Sequence, residues 1–590
     1  MSIPSSYRLL TSLLIITSRF PSNKVKVKPF LLPPIRYTST SPLRPTTPGF
    51  NFNRLYGTML KTETQSAISP SLCSPPLSVQ VRDNIHLTEK EEDIFECLRK
   101  VLLHFSLKTQ LRVAGGWVRD KLLDKECYDI DIAIDDMLGR EFCEKVNEYL
   151  SVIGEEAHTI GVIQCNPDQS KHLETARMRL SDMWIDFVNL RAEDYSENSR
   201  IPTMRFGSAK EDAYRRDLTI NSLFYNINTR SVEDLTERGI ADLKSGRIVT
   251  PLPPKETFLD DPLRVLRAIR FAARFEFKLE DDLKTAASDN DVKTAISEKI
   301  SRERIGHEID LMVSGNQPVT AMSHISDLQL FSVVFTLPSL IEPSLLEDCS
   351  KVCVAYMTAA WKLEQLLGCS NFNNEHKRLS LYAALFLPYR HTIYLDNKGK
   401  RVPVVNHIFR NSLKLKANDA ETVMKVHIAA EEFISLIPSI TSEKNMDVDI
   451  SENVSETLEI PTASKLRVSV GKLLREIKDF WRVALLTSLL LHPTDIISSN
   501  EESSIKKRGE VFKKVENEIM KMGLEKVWEM KPLLDGKEIM SILQVKTGGP
   551  VVKEWQVKLL EWQLAFPLRN ADDCREWMRL AYNAKRARIE

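Results

Sequence analysis

The stretch RVAGGWVRDKLLDKECYDIDIAI, residues 112–134, places two glycines and an Arg-Asp pair shortly before two aspartates that a single residue separates. Its last seven residues, YDIDIAI, alternate between polar and apolar as a half-buried β-strand does, with three isoleucines on one face. Asp129 and Asp131 then share the other face, about 7 Å apart by the strand rise. The pair predicts either a site for divalent metal ions or a surface strand with two solvated aspartates, and these two residues alone do not decide between them.

The same stretch predicts a phosphate-binding turn before the strand. At Gly115 and Gly116 no Cβ keeps a phosphate away from the backbone, and Arg119 supplies a cation nearby. We expect Asp120 to hold the turn. A hydrated Mg²⁺ pair at the two aspartates would offset their mutual repulsion and orient triphosphate oxygens. The metal interpretation of the aspartates therefore predicts nucleotidyl transfer.

A second cluster of polar residues lies in YRRDLTINSLFYN, residues 214–226. The adjacent guanidinium groups of Arg215 and Arg216 suit a triphosphate. The apolar pattern that follows predicts a helix that begins at Asp217, which caps the helix or accepts from a ribose hydroxyl, with Asn221 one turn later on the same face. A helix start disfavours cations unless an anion binds there, so we expect ligand binding in preference to a solvated face.

The composition of the whole chain narrows the possibilities. A chain of 590 residues exceeds what one core usually organises and predicts several domains. Its 81 basic and 81 acidic side chains cancel, so that a nucleic-acid surface has to come from local clustering of charge. The nine cysteines form no CxxC pair, although Cys349 and Cys353 share helical spacing, and they predict reduced, mostly buried thiols rather than structural zinc.

The first 60 residues have the composition of a transit peptide. They contain no Asp or Glu, but eight Lys or Arg residues among many Ser, Thr and Pro residues, whereas a merely disordered tail normally carries acids. We expect import into the mitochondrion, the plastid or both. Met59 precedes the first acidic residue, Glu63, and would start a shorter chain for the cytosol or nucleus. The apolar run 9–16 is too short to span a bilayer, and no membrane partner is expected.

Local patterns also divide the chain. Residues 87–105 predict an amphipathic helix that begins with a Thr-x-x-Glu capping box at 88–91. Residues 111–275 mix short strands with turns and helices, and the remainder is chiefly a helical pattern. Residues 442–459 hold six acids against one Lys, which predicts a solvated insertion, and residues 498–507 are similar.

Motifs in a fixed order carry a family resemblance. It rests on GGWVRD and DID followed by RRDLTINSLFYN, which are similar to the head domain of tRNA nucleotidyltransferases, the CCA-adding enzymes, of class II and of the eukaryotic, plant-like type. Later stretches resemble further family motifs: DLTERGIADLKSGRI at 234–248, with Asp234, Gly239, Asp242 and Arg247; DDPLRVLRAIRFAARF at 260–275, the base-selecting element; ISRERIGHEIDLM at 300–312; and, more loosely, LLDGKEIMSILQVKTGGPVVKEW at 533–555. Together these motifs are specific, although none is specific alone.

The base-selecting element begins with Asp260-Asp261, where the family usually has Glu-Asp. Pro262 can occupy the first helical position, which makes Asp261 a natural N-cap. Arg264 follows one turn later and would present two donors beside that carboxylate. Cytosine and adenine offer an amino group to the Asp and an acceptor to the Arg, whereas uracil and guanine offer a carbonyl to the Asp. The pair therefore predicts base choice without a nucleic-acid template, with Arg267 as a further nucleotide contact.

The resemblance implies an α+β fold, in which a small mixed β-sheet head of the polymerase β type is followed by an all-helical neck, body and tail. The implied parts are a leader at 1–60, a catalytic head at 85–250, a neck with the base-selecting element at 251–330, and a tRNA-binding body and tail at 331–590 with an insertion at about 440–462. The stretch around Gly239 resembles the head-to-neck connection and is expected to act as a hinge, so that stiffening it lowers A addition more than C addition.

The implied reaction adds C, C and A to a tRNA 3′ end from CTP and ATP, and pyrophosphate leaves. Asp129 and Asp131 are then the catalytic residues and the Mg²⁺ ligands. The implied nucleotide-binding residues are Gly115, Gly116, Arg119, Arg215, Arg216, Asp217, Asn221, Asp261, Arg264 and Arg267. Asp186, in IDFVNL, is either a third carboxylate or an ordinary edge-strand residue, and the role of Asp260 stays open.

Two other functions stay open at this point. A poly(A) polymerase of the same superfamily would share every catalytic residue, and an inactive tRNA-binding protein would need none of them. The basic residues of the tail, Lys585, Arg586 and Arg588, are expected to form a solvated helix end rather than a tRNA contact.

Overall fold

The computed structural model describes residues 79–163, 174–194, 203–344, 348–368, 372–442, 462–491 and 501–587. The predicted leader at 1–60 with Met59, nearly all of the predicted insertion, and Arg588 lie outside the described residues. The described residues all belong to one structural unit, Ile68–Glu590. No helix among them is both long enough and apolar enough to span a bilayer.

A mixed β-sheet forms the first part of the described chain. Its region contains the strands β1 (Leu111–Ala114), β2 (Ile130–Ile134), β3 (Gly161–Ile163), β4 (Thr175–Leu180), β5 (Met183–Asn189), β6 (Arg191–Asp194), β7 (Thr203–Phe206), β8 (Phe224–Asn226) and β9 (Ser231–Glu233). Seven of them lie in the order β3-β4-β5-β2-β1-β8-β9, with β2 and β5 parallel and the other neighbours antiparallel. β6 and β7 pair as a separate ribbon. The predicted mixed sheet is confirmed.

Helices cover one face of this sheet and leave the other open to a cavity. The helices of the head are α1 (Glu89–His104), α2 (Gly116–Leu122), α3 (Gly139–Val152), α4 (Ala209–Tyr214) and α5 (Gly239–Lys244). Ile132 is fully buried and pairs in register with Phe187, whose ring centroid lies 5.6 Å from that of Phe142 on α3. The isoleucine face of β2 is therefore the core face, and Asp131 points away from it.

The start of α1 agrees with the predicted capping box. Thr88 N donates to Glu91 Oε2 at 2.7 Å, and Glu91 N donates to Thr88 Oγ1 at 3.3 Å. The indole N–H of Trp117, on α2, donates to Glu91 Oε1 at 3.0 Å, and Phe95 packs edge-on against the same indole. The cap of α1 thus also anchors the helix that follows the glycine turn.

A connecting region follows the sheet. It contains β10 (Arg247–Ile248), α6 (Pro254–Asp260), α7 (Leu263–Phe275), β11 (Lys278–Leu279), α8 (Asp281–Ala287), α9 (Asn290–Lys299), α10 (Arg302–Val313), α11 (Pro318–Asp327) and α12 (Phe331–Val334). β10, which precedes α6 in the chain, and β11, which follows α7, pair as a parallel two-residue ladder. Since α7 packs against both α10 and α11, the base-selecting element is held between the sheet and the helices that follow.

The second half of the chain is mostly helical, as predicted. It contains β12 (Ile341–Glu342), α13 (Cys349–Leu367), α14 (Asn374–Leu385), β13 (Ile393–Leu395), β14 (Arg401–Pro403), α15 (Val404–His407), α16 (Ala417–Ile440), α17 (Thr462–Ile477), α18 (Trp481–Leu491), α19 (Glu501–Lys521), α20 (Gly536–Leu543), α21 (Pro550–Ala565) and α22 (Ala571–Ala587). It is not all-helical, because β12, β13 and β14 form a small antiparallel sheet. Gly399, with a φ of 73°, allows the tight turn between β13 and β14.

One prediction for the second half is wrong. Residues 498–507 were expected to be solvated; residues 498–500 lie outside the described residues, but α19 begins at Glu501 and buries Ser504 and Ile505 on one side. The charges of this stretch lie on the opposite face of an amphipathic helix, and a count of acids alone does not reveal that periodicity. The motif at 533–555 forms α20 and the start of α21, with Asp535 as the cap of α20.

Gly239 is tightly packed, which leads to a prediction. A Cβ added there would lie 2.6 Å from Thr219 O and 2.9 Å from Leu223 Cδ2. Gly239→Ala is therefore expected to lower the free energy of unfolding by about 1–3 kcal/mol, as overpacking does, and to reduce C and A addition together. Denaturant titration and separate incorporation assays would measure both effects. Gly548→Ala, where a Cβ would meet open space, is the control; loss of A addition alone would favour the hinge instead.

Candidate active site

Three carboxylates share the open face of the sheet. The parallel register of β2 and β5 pairs Asp131 with Asp186, and Asp129 lies two residues before Asp131, immediately ahead of β2. Burial and the neighbouring charges of Asp129 and Asp186 raise the pKa of Asp131 to about 6. The cluster is therefore an excess of negative charge that a bound cation would neutralise.

Arg177 forms an ion pair with Asp186, the third carboxylate of this cluster. It lies opposite Asp186 on β4, and its Nη2 donates to Asp186 Oδ2 at 2.7 Å. This hydrogen bond and the charge of Asp186 raise the pKa of Arg177. Asp186 thus already has a hydrogen-bonded cationic partner, whereas Asp129 and Asp131 have no side-chain hydrogen bond to a cation among the described residues.

The two aspartates fit Mg²⁺ in one particular way. Within the described ranges, no three or more His, Cys, Asp or Glu side chains come together as a complete metal site. Mg²⁺ usually takes only one or two protein carboxylates and completes its octahedron with water and substrate phosphates. Asp129 and Asp131 match that donor set, and a phosphate-bearing substrate would have to supply the other oxygens.

The glycine turn brings the GGWVRD motif into contact with the YRRDLTINSLFYN motif. Gly115 has a φ of 65°, in the left-handed region, and its N–H donates to Leu223 O at 2.8 Å. A Cβ at Gly115 would lie 2.6 Å from Arg216 Nη1. Gly116 is the first residue of α2. Glycine is therefore required at 115 by the approach of Arg216 as well as by the backbone conformation.

Arg119 and Asp120 differ from expectation. Arg119 is 3% exposed, bonds Asp120 and Asn221, and lies over the ring of Phe271. Burial lowers the pKa of Arg119. Asp120 does not hold the turn; it accepts from Arg119 and, at 3.2 Å, from Arg274 on α7. Through Arg274, the Arg119–Asp120 pair links α2 to α7. Arg119 also lines the cavity described below.

Arg215 and Arg216 lie at the end of a helix, not at the start of one as predicted. The helix begins earlier, at a Ser208 cap, so that α4 ends at Tyr214 and Arg215 is its C-cap. Cations are favoured at this end by the helix dipole, so the argument from an unfavourable helix start is wrong. Both arginines bind Asp212: Arg215 Nη2 to Oδ1 at 2.5 Å and Arg216 Nη2 to Oδ2 at 2.7 Å. One buried carboxylate therefore serves two guanidinium groups.

The shared carboxylate predicts a pH dependence of stability. Burial alone would raise the pKa of Asp212, but Arg216 and Arg215 outweigh burial and hold the pKa at about 2. Because the folded pKa is below the unfolded one, the stabilisation is complete above about pH 4 and is lost as pH falls towards 2, with a size of about 2 kcal/mol. Denaturant unfolding of the wild type and Asp212→Asn should therefore show a difference that narrows from pH 6 to pH 3. A difference that does not change with pH would contradict this.

Asp217 does not begin a long helix as predicted, and three hydrogen bonds fix its side chain within the site. Its Oδ1 accepts from Leu218 N at 2.9 Å and from Asn221 Nδ2 at 3.0 Å, and its Oδ2 accepts from Arg267 Nε at 2.7 Å. Burial alone would raise its pKa, but Arg267 and Asn221 hold the pKa at about 2. A 3₁₀ turn, Thr219–Asn221, takes the place of the predicted helix.

The base-selecting element is capped one residue later than predicted, at Pro262 rather than Asp261, and its charges are paired differently. Asp261 Oδ1 accepts from Leu263 N at 3.2 Å, although the helix begins at Leu263 rather than at Pro262. Asp261 Oδ2 accepts from Arg304 Nη2 at 3.0 Å, whereas Arg264 Nη2 donates to the carbonyl of Arg215 at 2.7 Å. Asp261 and Arg264 nevertheless line the same cavity, so their predicted joint role in base choice stays a prediction. The Arg264 side chain runs towards the N-terminus of its helix, as helical side chains do, and reaches the head.

Two residues of α10 were missed from the sequence. Arg304 is the partner of Asp261, and Glu308 binds Arg270 Nε at 2.7 Å and lies 3.7 Å from Arg267 Nη1. Both occur in ISRERIGHEIDLM, which identified the helix but gave no indication of which charges face α7. Only the packing of α7 on α10 brings them to the site.

One cavity of about 620 Å³ brings most of these side chains together. The predicted residues that line it are Gly116, Arg119, Asp131, Arg215, Arg216, Asp217, Asn221, Asp261, Arg264 and Arg267, and Arg304 joins them. Gly115 and Asp129 are not among its lining residues. A volume of this order holds a nucleotide. Of the three sheet carboxylates, Asp131 lines this arginine-rich cavity, an arrangement that suits the class of nucleotidyltransferases.

Comparison with known proteins identifies the family. Residues 111–249 match the Poly A polymerase head domain. The chain is 33% identical to a tRNA nucleotidyltransferase of Schizosaccharomyces pombe, over 83% of this chain and 97% of that protein. It is 34% identical to the mitochondrial CCA tRNA nucleotidyltransferase of Candida glabrata, over 82% of this chain and 94% of that protein. The Bacillus stearothermophilus CCA-adding enzyme in complex with CTP has the same fold, with a TM-score of 0.56 at 17% identity over 85% of this chain and 100% of that one. The chain belongs to the tRNA nucleotidyltransferase family.

Proposed function

We propose that this protein adds C, C and A to the 3′ end of tRNA, taking the nucleotides from CTP and ATP and releasing pyrophosphate. The observation that carries the proposal is the placement of Asp131 beside the arginine pair in one cavity, in a chain that matches tRNA nucleotidyltransferases over most of its length. The tRNA terminal hydroxyl attacks the α-phosphate, and the bond to the β-phosphate breaks.

The arginines of the cavity are suited to hold the triphosphate. Arg215 and Arg216 share the carboxylate of Asp212, and Arg264 and Arg304 line the same cavity. Guanidinium groups bind phosphate oxygens with paired, directed donors. The triphosphate is thus oriented with its α-phosphate towards the sheet face that carries Asp131.

Asp129 and Asp131 are the residues that would hold Mg²⁺. When bound there, Mg²⁺ would lower the pKa of the attacking hydroxyl and offset the charge that develops on the leaving pyrophosphate. The role of the two carboxylates is to fix this position on a rigid strand, opposite the arginines. Asp186 supports them as a neighbour held by Arg177.

Base choice is proposed to rest on Asp261 and Arg264. Both line the cavity, and both are already oriented by other groups, Asp261 by Arg304 and Arg264 by the carbonyl of Arg215. An acceptor and a donor fixed in this way favour cytosine and adenine over uracil and guanine, because the wrong bases would leave buried polar groups unpaired. No nucleic-acid template is needed, since all tRNAs receive the same ending.

A single incorporation assay tests the function. The substrate is a tRNA that lacks its last three nucleotides, offered with CTP alone, ATP alone, and both together. CCA addition gives two C additions with CTP and exactly one further A when ATP is present, after which synthesis stops. Continued A addition would instead assign the chain to a poly(A) polymerase, and binding without incorporation would assign it to an inactive tRNA-binding protein.

We also propose that the protein works in mitochondria. The acid-free, basic composition of the first 60 residues supports import, and the Candida glabrata relative is named as mitochondrial. Plastid import, and a second form that starts at Met59 and remains in the cytosol or nucleus, are finer predictions. N-terminal peptides from separated compartments would test them, and a single start in all compartments would contradict the second form.

A further inference from the structure

A second cavity lies among the helices that follow the base-selecting element. It has a volume of about 760 Å³ and lies between the end of α10, the end of α13, the start of α14 and the segment before α16. It shares no lining residue with the catalytic cavity. Its size is within the range of small-molecule and nucleotide pockets. Nothing in the proposed chemistry of CCA addition uses it.

Glu364 gives this cavity an unsatisfied polar group. The side chain lines the cavity and the residue is only 3% exposed, and its Oε2 has no hydrogen-bond partner among the described residues. Burial raises the pKa of Glu364 to about 7. A carboxyl group that is buried without a partner destabilises the fold, so an apolar residue would be preferred here if packing were the only requirement.

Three exposed lysines lie on the rim of the cavity. Lys377, Lys414 and Lys416 line it and are exposed, and within the described chain none of them forms an ion pair. Arg378 differs, because it is held between Asp310, with Nε to Oδ1 at 2.6 Å, and Asp419, with Nη2 to Oδ2 at 2.9 Å. Arg378 thus occupies Asp310 and Asp419, and the three lysines, with the exposed Glu375 beside them, are the groups that could bind a phosphate.

An aromatic side chain completes the set. Trp361 lies one helical turn before Glu364 on α13 and lines the same cavity. An indole face stacks on a nucleobase, a buried carboxyl group can donate to or accept from the polar edge of that base, and lysines bind its phosphate. No simpler anion would use all three features, since inorganic phosphate needs neither an aromatic face nor a buried carboxyl group.

We propose that this cavity binds a nucleotide, with the base between Trp361 and Glu364 and the phosphate at Lys414 and Lys416. The nucleotide is either free in solution or an unpaired nucleotide of the bound tRNA, since both present the same chemistry. The site is distinct from the catalytic cavity, although α10 runs between them with Arg304 at one end and Asp310 near the other.

Tryptophan fluorescence of the full chain tests the proposal. The signal of Trp361 is obtained as the difference between the wild type and Trp361→Phe, during titration with AMP, CMP, GMP or UMP and, separately, with tRNA. A saturable change in fluorescence is expected. The dissociation constant from this titration is expected to be at least tenfold higher in Lys414→Ala/Lys416→Ala and in Glu364→Leu. Arg216→Ala, in the catalytic cavity, is expected to leave the Trp361 change in place. This readout requires no catalysis, so it does not depend on whether CCA addition is correct.

Glu364→Leu separates a binding role from a structural one. Because the substitution removes an unsatisfied buried group, it is expected to keep or raise the melting temperature while it weakens nucleotide binding. Glu375→Leu, at an exposed carboxylate that lines the same cavity, is the matched control and is expected to keep binding within twofold.

The two sources of the nucleotide give different results. A response to nucleoside monophosphates assigns a free nucleotide. A response to tRNA alone, with a KM for tRNA raised about tenfold and an unchanged kcat in the double lysine variant, assigns a nucleotide of the tRNA. If neither monophosphates nor tRNA change the Trp361 signal, or if Glu364→Leu and the lysine variant bind as the wild type does, the proposal is overturned.

Discussion

Asp131→Asn is expected to lower incorporation of both C and A by about 10³-fold or more, while tRNA binding stays within about twofold. A bound metal ion supplies several kcal/mol of stabilisation in such reactions, and each 1.36 kcal/mol is a factor of ten in rate. The asparagine keeps the shape of the side chain but removes the charge that attracts the cation. Single-turnover incorporation and a filter-binding assay with labelled tRNA would measure the two effects.

Asp131→Asn is expected to lose activity without losing thermal stability. Asp131 is repelled by Asp129 and Asp186, so that removing its charge relieves repulsion and is expected to leave the melting temperature unchanged or higher. Asp182→Asn, at an exposed turn of the same sheet, is the matched control and is expected to be fully active. Wild-type rates in Asp131→Asn would remove Asp131 from the catalytic centre.

Arg264→Ala is expected to change base choice most strongly. Use of CTP and ATP is expected to fall, and rejection of UTP and GTP to weaken by about a hundredfold, because a few kcal/mol of discrimination come from pairing buried polar groups correctly. Arg264 is 7% exposed and its Nη2 is held by the carbonyl of Arg215, so it is oriented before a base arrives. Single-nucleotide incorporation with each of the four triphosphates would give the ratios of kcat/KM.

Two controls distinguish selection from folding in this experiment. Arg270→Ala removes another arginine of α7, one that binds Glu308 and does not line the cavity, and is expected to keep the preference for CTP and ATP. Arg264→Lys keeps the charge but not the paired donors and is expected to recover rate more than selectivity. If Arg264→Ala rejected UTP and GTP as well as the wild type does, Arg264 would be a packing residue between α7 and the head.

Features set by near neighbours in the chain could be predicted from the sequence. The alternation in YDIDIAI located β2 and the face of its aspartates, and the capping box at Thr88 located the start of α1. The boundary of α4 could not be predicted in the same way, because the Ser208 cap competes with an equally plausible start at Asp217. When two caps compete, tertiary contacts decide, such as the hydrogen bond that Arg191 N donates to Asp212 Oδ1 at 3.3 Å.

The paired charges of the site were the least predictable feature. Asp261 has Arg264 nearby in sequence, yet its partner is Arg304, which is 43 positions away. Arg119 lines the cavity as a predicted nucleotide contact, but its own partners are Asn221 and the ring of Phe271, which the sequence did not indicate. Side-chain partners of this kind depend on how α7 packs on α10 and on the head, which no local pattern encodes.

The sharing of Asp212 between two arginines limits the mutational routes open to this site. Loss of Asp212 would remove the carboxylate that holds both guanidinium groups in a part-buried position, whereas loss of Arg215 or Arg216 would remove one of the cations proposed to bind the triphosphate. The effect of a substitution at any one of the three positions therefore depends on what occupies the other two. An exchange of this cluster for another anion-binding set would have to pass through a protein that is either poorly folded or unable to hold its nucleotide, unless two positions changed together.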